Sequence, residues 1–122
     1  MEDVIKLVNC IRQTAYEVHL YLGTGFLEKV YENALAHRLV KAGCQVAQQH
    51  PIKVFDEDGT LIGDYVADLF VNNQVIIELK SVKAIAPEHE AQLLHYLKAT
   101  QVHHGILINF GAAKFQIQKF IL

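Results

Sequence analysis

One segment of eight residues limits the possible folds more than any other. Residues 75–82 read Val-Ile-Ile-Glu-Leu-Lys-Ser-Val, with apolar side chains at both odd and even positions. Successive side chains of a β-strand point to opposite faces, so a strand of this kind has to be covered on both faces. The segment therefore predicts a central strand in a sheet that has helices on both sides.

Changes in hydrophobic period divide the chain into eight elements. In the first part of the chain, apolar residues recur every three or four positions, which is typical of amphipathic helices. From Gln45 onward, apolar residues recur at every second position, which is typical of strands. Turn residues interrupt the second pattern at 56–59 and 72–73. These signals predict helices over 3–21, 27–42 and 88–100 and strands over 46–55, 61–71, 75–82, 105–110 and 114–122.

The predicted order is α-α-β-β-β-α-β-β, and its first three strands form an antiparallel meander. Residues 105–110 are almost entirely apolar and indicate a second buried strand, with which strand 114–122 is expected to pair. The expected fold class is α/β (α+β), with a mixed central sheet flanked by helices. The length of 122 residues suits a single domain over 1–122.

Composition narrows the classes of function. No apolar run is long enough for a transmembrane helix, and the acidic start Met1-Glu2-Asp3 lacks the basic residues of a secretion signal. We therefore expect a cytoplasmic protein. A net charge of -2 argues against strong, nonspecific binding of nucleic acid, which needs a surplus of Lys and Arg, although a local basic patch remains compatible with it.

Two charged residues interrupt the most apolar strand. Glu78 and Lys80 are two positions apart and therefore share one face. Their burial costs several kcal/mol per ion unless they are paired or bind an ion. For this pair alone, an exposed ion pair at a sheet edge is the better explanation.

A second acid, in the neighbouring strand, makes the exposed ion pair a less sufficient explanation. Asp68 has apolar neighbours on both sides in a predicted strand, although Asp is rare in strands. A two-residue loop at Asn72 and Asn73 would put Asp68 opposite Ile77, whereas a three-residue loop or a bulge would put it opposite Glu78. We expect the second arrangement, because Asn tolerates the left-handed conformation. Two adjacent carboxylates repel unless a cation lies between them, and oxygen ligands suit Mg²⁺ or Mn²⁺.

Polar pairs on two helices have two explanations each. Glu28 and Glu32 are four apart, so they either form a solvated face or turn Glu28 toward the cation site, with Tyr31 nearby. Gln92 and Tyr96 share a face of the third helix, either as a half-buried polar pair or as part of the site.

Together these residues resemble a known pattern. Residues 25–31 read Gly-Phe-Leu-Glu-Lys-Val-Tyr, which resembles the signature of the GxxExxY protein family. That family is placed in the PD-(D/E)XK nuclease superfamily. The resemblance extends over nearly the whole chain, in the order of both motifs and elements. It implies a restriction-endonuclease-like core and a nuclease-like domain over residues 1–122.

The resemblance also implies a role for each candidate residue. Asp68 would be the aspartate of the superfamily, and Glu78 with Lys80 its (D/E)xK pair. The implied catalytic residues are Lys80, Glu78, Asp68 and Gln92. The implied ligands of Mg²⁺ (or Mn²⁺) are Asp68, Glu78, Glu28 and the backbone carbonyl of Leu79. The implied substrate contacts are Tyr96 and Tyr31.

Three functions remain open. The first is a metal-dependent nuclease, with DNA a more favoured partner than RNA. The second is a catalytically silent nuclease-fold module that serves as a subunit of a larger system, and the third is a hydrolase of another phosphate substrate. A modest basic patch near the site would come from Lys83, Lys98, Lys114 and Lys119. The outer strands carry few charges, which favours a homodimer.

Overall fold

The computed structural model describes residues 3–122, so Met1 and Glu2 of the acidic start lie outside the described part. The order of elements is the predicted one, with boundaries that differ by a few residues. The elements are α1 (Val4–Leu22), α2 (Glu28–Lys41), β1 (Val46–Phe55), β2 (Leu61–Val71), β3 (Val75–Lys80), α3 (Pro87–Thr100), β4 (His104–Asn109) and β5 (Gln116–Ile121). Among the described residues, none of the helices combines the length and the apolar character needed to cross a bilayer.

The five strands form one mixed sheet in the order β1-β2-β3-β4-β5. The first three strands are an antiparallel meander, and β5 pairs antiparallel with β4, as predicted. Only β3 and β4 run parallel within the described sheet, because α3 carries the chain from the end of one to the start of the other. This crossover puts β3 at the centre of the sheet.

Helices cover both faces of the sheet, which confirms the prediction from the apolar strand. One core lies between the sheet and the α1–α2 pair and includes Ile77 and Leu79. The other lies under α3 and includes Ile76 and Leu107. Every residue of β3 from Val75 to Leu79 is buried.

A three-residue loop joins β2 to β3, as predicted. Asn72 and Asn73 have φ of 52° and 53°, in the left-handed region. Leu69 lies opposite Ile77. Continuing this register puts Asp68 opposite Glu78, so the loop sets the position of both acids.

The strand β3 ends at Lys80, two residues earlier than predicted. Asn109, on the neighbouring strand, holds the departing chain: its Oδ1 accepts a hydrogen bond from the Val82 N–H at 3.0 Å, and its Nδ2 donates to the Val82 carbonyl at 2.9 Å. A Cβ at Gly111 would overlap the backbone of Ser81 and Val82, so the close crossing needs glycine. Asn109 is fully buried.

Replacement of Asn109 tests the two hydrogen bonds that its side chain forms with the backbone of Val82, which are called the Asn109 clamp. Asn109→Ala leaves the backbone groups of Val82 without these partners, so we expect the free energy of unfolding to fall by about 2 to 3 kcal/mol. Urea denaturation measures the change. Asn9→Ala, at an exposed position of α1, is the matched control and should change stability by less than about 0.5 kcal/mol. Equal effects of the two substitutions would contradict the clamp.

Candidate active site

Strands β2 and β3 separate where Asp68 meets Glu78. Backbone pairing ends at Leu69 and Ile77. Beyond it, Glu78 Oε2 accepts a hydrogen bond from the Asp68 N–H at 2.7 Å, and Asp68 Oδ2 accepts one from the Leu79 N–H at 2.8 Å. Each carboxylate thus takes the place of a backbone carbonyl of the neighbouring strand. The two acids are fixed side by side between the separating strands.

Burial makes this pair electrostatically costly. Glu78 is only 4% exposed. Its burial, with the nearby negative charge of Asp68, raises its pKa to about 8. Burial likewise raises the pKa of Asp68. The explanation of Glu78 as part of an exposed ion pair at a sheet edge is therefore wrong, because β3 is central and its glutamate is buried.

The acid of the GxxExxY segment lies near the same cluster. Partial burial raises the pKa of Glu28, and the charge of Asp68 raises it further, whereas the Lys80 ammonium lowers it. Glu28 begins α2 and has an exposed side chain. It therefore lies at the rim of the acid pair, within reach of its charges.

Glu32 is a buried acid beside the candidate site, and it was not among the predicted site residues. It is 3% exposed and forms an ion pair with Lys29 at 2.8 Å. Its two carboxylate oxygens also accept hydrogen bonds from Gln48 and Gln49 of β1, both at 2.8 Å. The solvated-face explanation therefore fails for Glu32. The like-charge spacing from Glu28 was the only signal in the sequence, because its partners lie on a different element.

Gln49 links Glu32 to the acid pair from an unusual backbone conformation. It lies between paired residues of β1 but has φ of 54°, and it leaves the pairing of β1 with β2 interrupted. A conformation of this kind costs about 1–3 kcal/mol and persists where surrounding contacts impose it. The side chain of Gln49 donates to Glu32, and its hydrogen bond to Asp68 lowers the pKa of that carboxyl.

Helix α3 closes the other side of the cluster. Lys80 Nζ donates a long hydrogen bond of 3.5 Å to Gln92 Oε1. Tyr96 is 6% exposed. Burial raises its pKa, and the charges of Glu78 and Asp68 raise it further. The predicted residues that the fold brings to this one region are Glu28, Asp68, Glu78, Lys80, Gln92 and Tyr96.

The geometry does not match the predicted substrate contact of Tyr31. Its side chain is fully buried and its ring stacks on Phe110, with centroids 4.7 Å apart. Its hydroxyl donates to the Gly23 carbonyl at 2.6 Å and accepts from the Phe26 N–H at 3.2 Å. These contacts tie the α1–α2 loop to the core, and they occupy both the ring and the hydroxyl of Tyr31.

The donor set fits a hard divalent cation only in part. Within residues 3–122, no group of three or more Asp, Glu, His or Cys side chains is close enough together to share an ion. Asp68 and Glu78 nevertheless supply adjacent carboxylates with raised pKa values, and carboxylate oxygens are what Mg²⁺ and Mn²⁺ prefer. These two residues therefore fit such a cation, and Glu28 would have to move to join them.

The raised pKa of Glu78 predicts a pH dependence of stability without metal. The folded state holds this proton up to about pH 8, whereas the unfolded state releases it near 4.5. The free energy of unfolding should therefore fall as pH rises from 5 to 8, by at most about 4 kcal/mol, at about 1.4 kcal/mol per pH unit. Urea denaturation in EDTA at three pH values measures it.

Glu78→Gln should remove most of this fall, because the amide does not ionise. Glu57→Gln, in the exposed β1–β2 turn, is the control and should keep the wild-type slope. Equal slopes for the wild type and Glu78→Gln would show that the buried carboxyl does not titrate as stated.

Comparison with known proteins gives the fold and the family. No curated protein matches this chain significantly. The crystal structure of SSO0001 matches 76% of this chain with a TM-score of 0.57 and 16% sequence identity, a likeness that concerns the fold alone. This chain spans about half of SSO0001, with 48% of that protein covered. A family model described as the PD-(D/E)XK nuclease superfamily matches residues 5–120, with the element order of a restriction-endonuclease-like fold. The chain therefore belongs to the PD-(D/E)XK nuclease superfamily.

Proposed function

We propose that this protein is a metal-dependent nuclease that hydrolyses phosphodiester bonds of DNA or RNA, with DNA the favoured substrate. The observation that supports it most is the reciprocal hydrogen bonding of Asp68 and Glu78, which keeps two carboxylates together in a buried place. Residues 1–122 would act as one nuclease-like domain. The Gly-x-x-Glu-x-x-Tyr segment at 25–31 supports membership of the GxxExxY family.

The proposed cofactor is Mg²⁺, or Mn²⁺ in its place. Asp68, Glu78 and the Leu79 carbonyl would hold it, with Glu28 as a further ligand. When bound, such a cation supplies positive charge to the phosphate and makes a nearby water more acidic. The raised pKa values of both carboxyls favour this, because a cation would replace the proton that they otherwise retain.

Three side chains act on the substrate and the attacking water in this proposal. Lys80 orients or deprotonates the water, or stabilises the negative charge that develops on phosphorus. Gln92 accepts a hydrogen bond from the Lys80 ammonium through its Oε1 atom. Its amide nitrogen would donate to a phosphate oxygen and orient it. Tyr96 would contact the sugar–phosphate backbone through the part of its side chain that lines the groove.

Exposed lysines would supply a limited electrostatic attraction for nucleic acid. Lys98 is exposed and lines a groove together with Gln92 and Tyr96. Lys83 and Lys114 are also exposed, whereas Lys119 contacts His104 at the start of β4 and lies near Arg12 of α1, so it is not part of a patch at the site. We propose a cytoplasmic location, where nucleic acid is available, and association of two copies through an edge strand. The edge strands are β1 and β5.

A binding module without turnover is the second candidate. In its favour, the acids, histidines and cysteines of residues 3–122 form no group ready to hold an ion. The net charge of -2 also disfavours a strong grip on duplex phosphates.

Cleavage assays test the nuclease proposal. Single- and double-stranded DNA and RNA are incubated with wild type and Lys80→Ala in Mg²⁺ and in Mn²⁺. We expect Lys80→Ala to lower the cleavage rate by roughly 100-fold or more, because it removes a proton-transfer or charge-stabilising group. Lys41→Ala, at the exposed end of α2, should cleave like the wild type. Equal rates for wild type and Lys80→Ala would identify a contaminant.

Metal titration separates the two candidates. We expect calorimetry to show Mn²⁺ binding that Asp68→Asn and Glu78→Gln each weaken at least tenfold. At pH 7 the binding should release close to one proton, because the pKa of Glu78 is about 8. Heats in buffers of different ionisation enthalpy measure that proton. A folded protein that binds neither Mn²⁺ nor Mg²⁺ would favour the binding module.

A further inference from the structure

The β1–β2 hairpin extends well beyond the rest of the sheet. Its two strands pair as far as Phe55 and Leu61, whereas β2 pairs with β3 only from Leu69 onward. The outer part of this hairpin, residues 50–67, is called the hairpin arm below. Its base is anchored to α3, because Ile52 and Ala67 pack in the core under that helix.

An open groove of about 1020 Å³ lies between the hairpin arm and α3. Lys53, Phe55 and Tyr65 line it from the arm. Gln92, Tyr96 and Lys98 line it from the helix. Since Gln92 and Tyr96 also close one side of the acid cluster, the groove adjoins the candidate active site.

Tyr65 presents a positioned aromatic surface to this groove. The side chain lies over Gly63, where a Cβ would come within 3.0 Å of the tyrosine ring and 3.2 Å of the Val54 Cβ. The ring centroid lies 5.8 Å from that of Tyr96. Tyr65 is nevertheless 50% exposed, so part of its ring is open to a ligand.

The charges of the groove are few and predominantly positive. Lys53 and Lys98 lie on opposite walls, with His95 beside Lys98 and Glu88 as the acid among the lining residues. Lys53 also pairs with Asp64 at 3.7 Å, but both side chains are at least half exposed and such a pair is weak. The lysines are therefore available to phosphate groups.

This combination suits a single strand better than a duplex. Duplex binding depends on many phosphate contacts, which a chain of net charge -2 supplies poorly. Binding of a single strand combines fewer charges with stacking of bases on aromatic side chains, and every base has a face that stacks. A groove with one half-exposed tyrosine, apolar walls and two lysines has the components of the second mode.

We propose that this groove binds a single-stranded segment of DNA or RNA, with a base stacked on Tyr65 and phosphates near Lys53 and Lys98. The strand then passes Gln92 and Tyr96 on its way to the acid cluster. The inference rests on the proposed nuclease function and adds the substrate class to it. A polynucleotide suits the groove better than a peptide, because Lys53 and Lys98 can pair with successive phosphates and the groove adjoins a site proposed for phosphate chemistry.

Fluorescence anisotropy tests the groove independently of cleavage. Labelled dT20, U20 and a dT20·dA20 duplex are titrated with Lys80→Ala in Mg²⁺, so that the substrate stays intact. We expect each single strand to bind at least tenfold more tightly than the duplex. Adding Tyr65→Ala should weaken single-strand binding by roughly tenfold, and Tyr65→Phe should largely retain it.

Matched variants separate stacking from general effects. Tyr21→Ala removes a tyrosine that is 77% exposed on α1 and should leave binding unchanged. Replacing both Lys53 and Lys98 by Ala should lower the dependence of log affinity on log salt by about 1.4, or about 0.7 for each phosphate contact with a single strand. Circular dichroism checks that each variant is folded.

The results can refute single-strand binding by the groove and the nuclease proposal independently of each other. Tighter binding of the duplex, no binding of any oligonucleotide, or equal effects of Tyr65→Ala and Tyr21→Ala would overturn the groove, even if Lys80→Ala abolishes cleavage. Cleavage that does not depend on Lys80, together with single-strand binding that depends on Tyr65, would refute the nuclease and leave the groove intact.

Discussion

The exchange of hydrogen bonds between Asp68 and Glu78 is the constraint on which the rest of this structure depends. Each carboxylate replaces a backbone carbonyl of the opposite strand. This permits β2 and β3 to separate without leaving their backbone N–H groups unpaired, and it keeps two acids adjacent inside an otherwise apolar sheet. The same separation releases the hairpin arm from the central sheet. Carboxylates that take the place of backbone carbonyls therefore position both the acids and the groove beside them.

Residues from several elements offset the unfavourable free energy of burying these acids. Burial raises the pKa of both carboxyls, so in the absence of a cation the folded state favours retention of a proton. Gln49 supports Asp68 from a left-handed backbone conformation, and Glu32 is satisfied by hydrogen bonds from β1 and by Lys29. Backbone strain and shifted pKa values of this kind are typical of functional sites, where a reaction uses charged groups that are shielded from water. They explain why a chain of this size would retain acids that weaken its core.

The sequence was sufficient to predict the features that local signals determine. The element order followed from hydrophobic period, and the register of β2 against β3 followed from the tolerance of Asn72 and Asn73 for the left-handed region. It was insufficient where partners come from distant segments. The explanation of Glu32 stayed open because its hydrogen-bond donors lie on β1. The substrate contact of Tyr31 came from the family resemblance, and no local signal showed that its hydroxyl bonds to the α1–α2 loop.

A crystal structure of the protein grown with Mn²⁺ tests the central claim most directly, since the anomalous signal of manganese locates the ion without ambiguity. The account predicts one strong anomalous peak in contact with a carboxylate oxygen of Asp68 and one of Glu78, with the two hydrogen bonds to the backbone preserved. An ordered, unchanged acid pair with no peak beside it at saturating Mn²⁺ would contradict the account and leave the superfamily fold without its proposed chemistry.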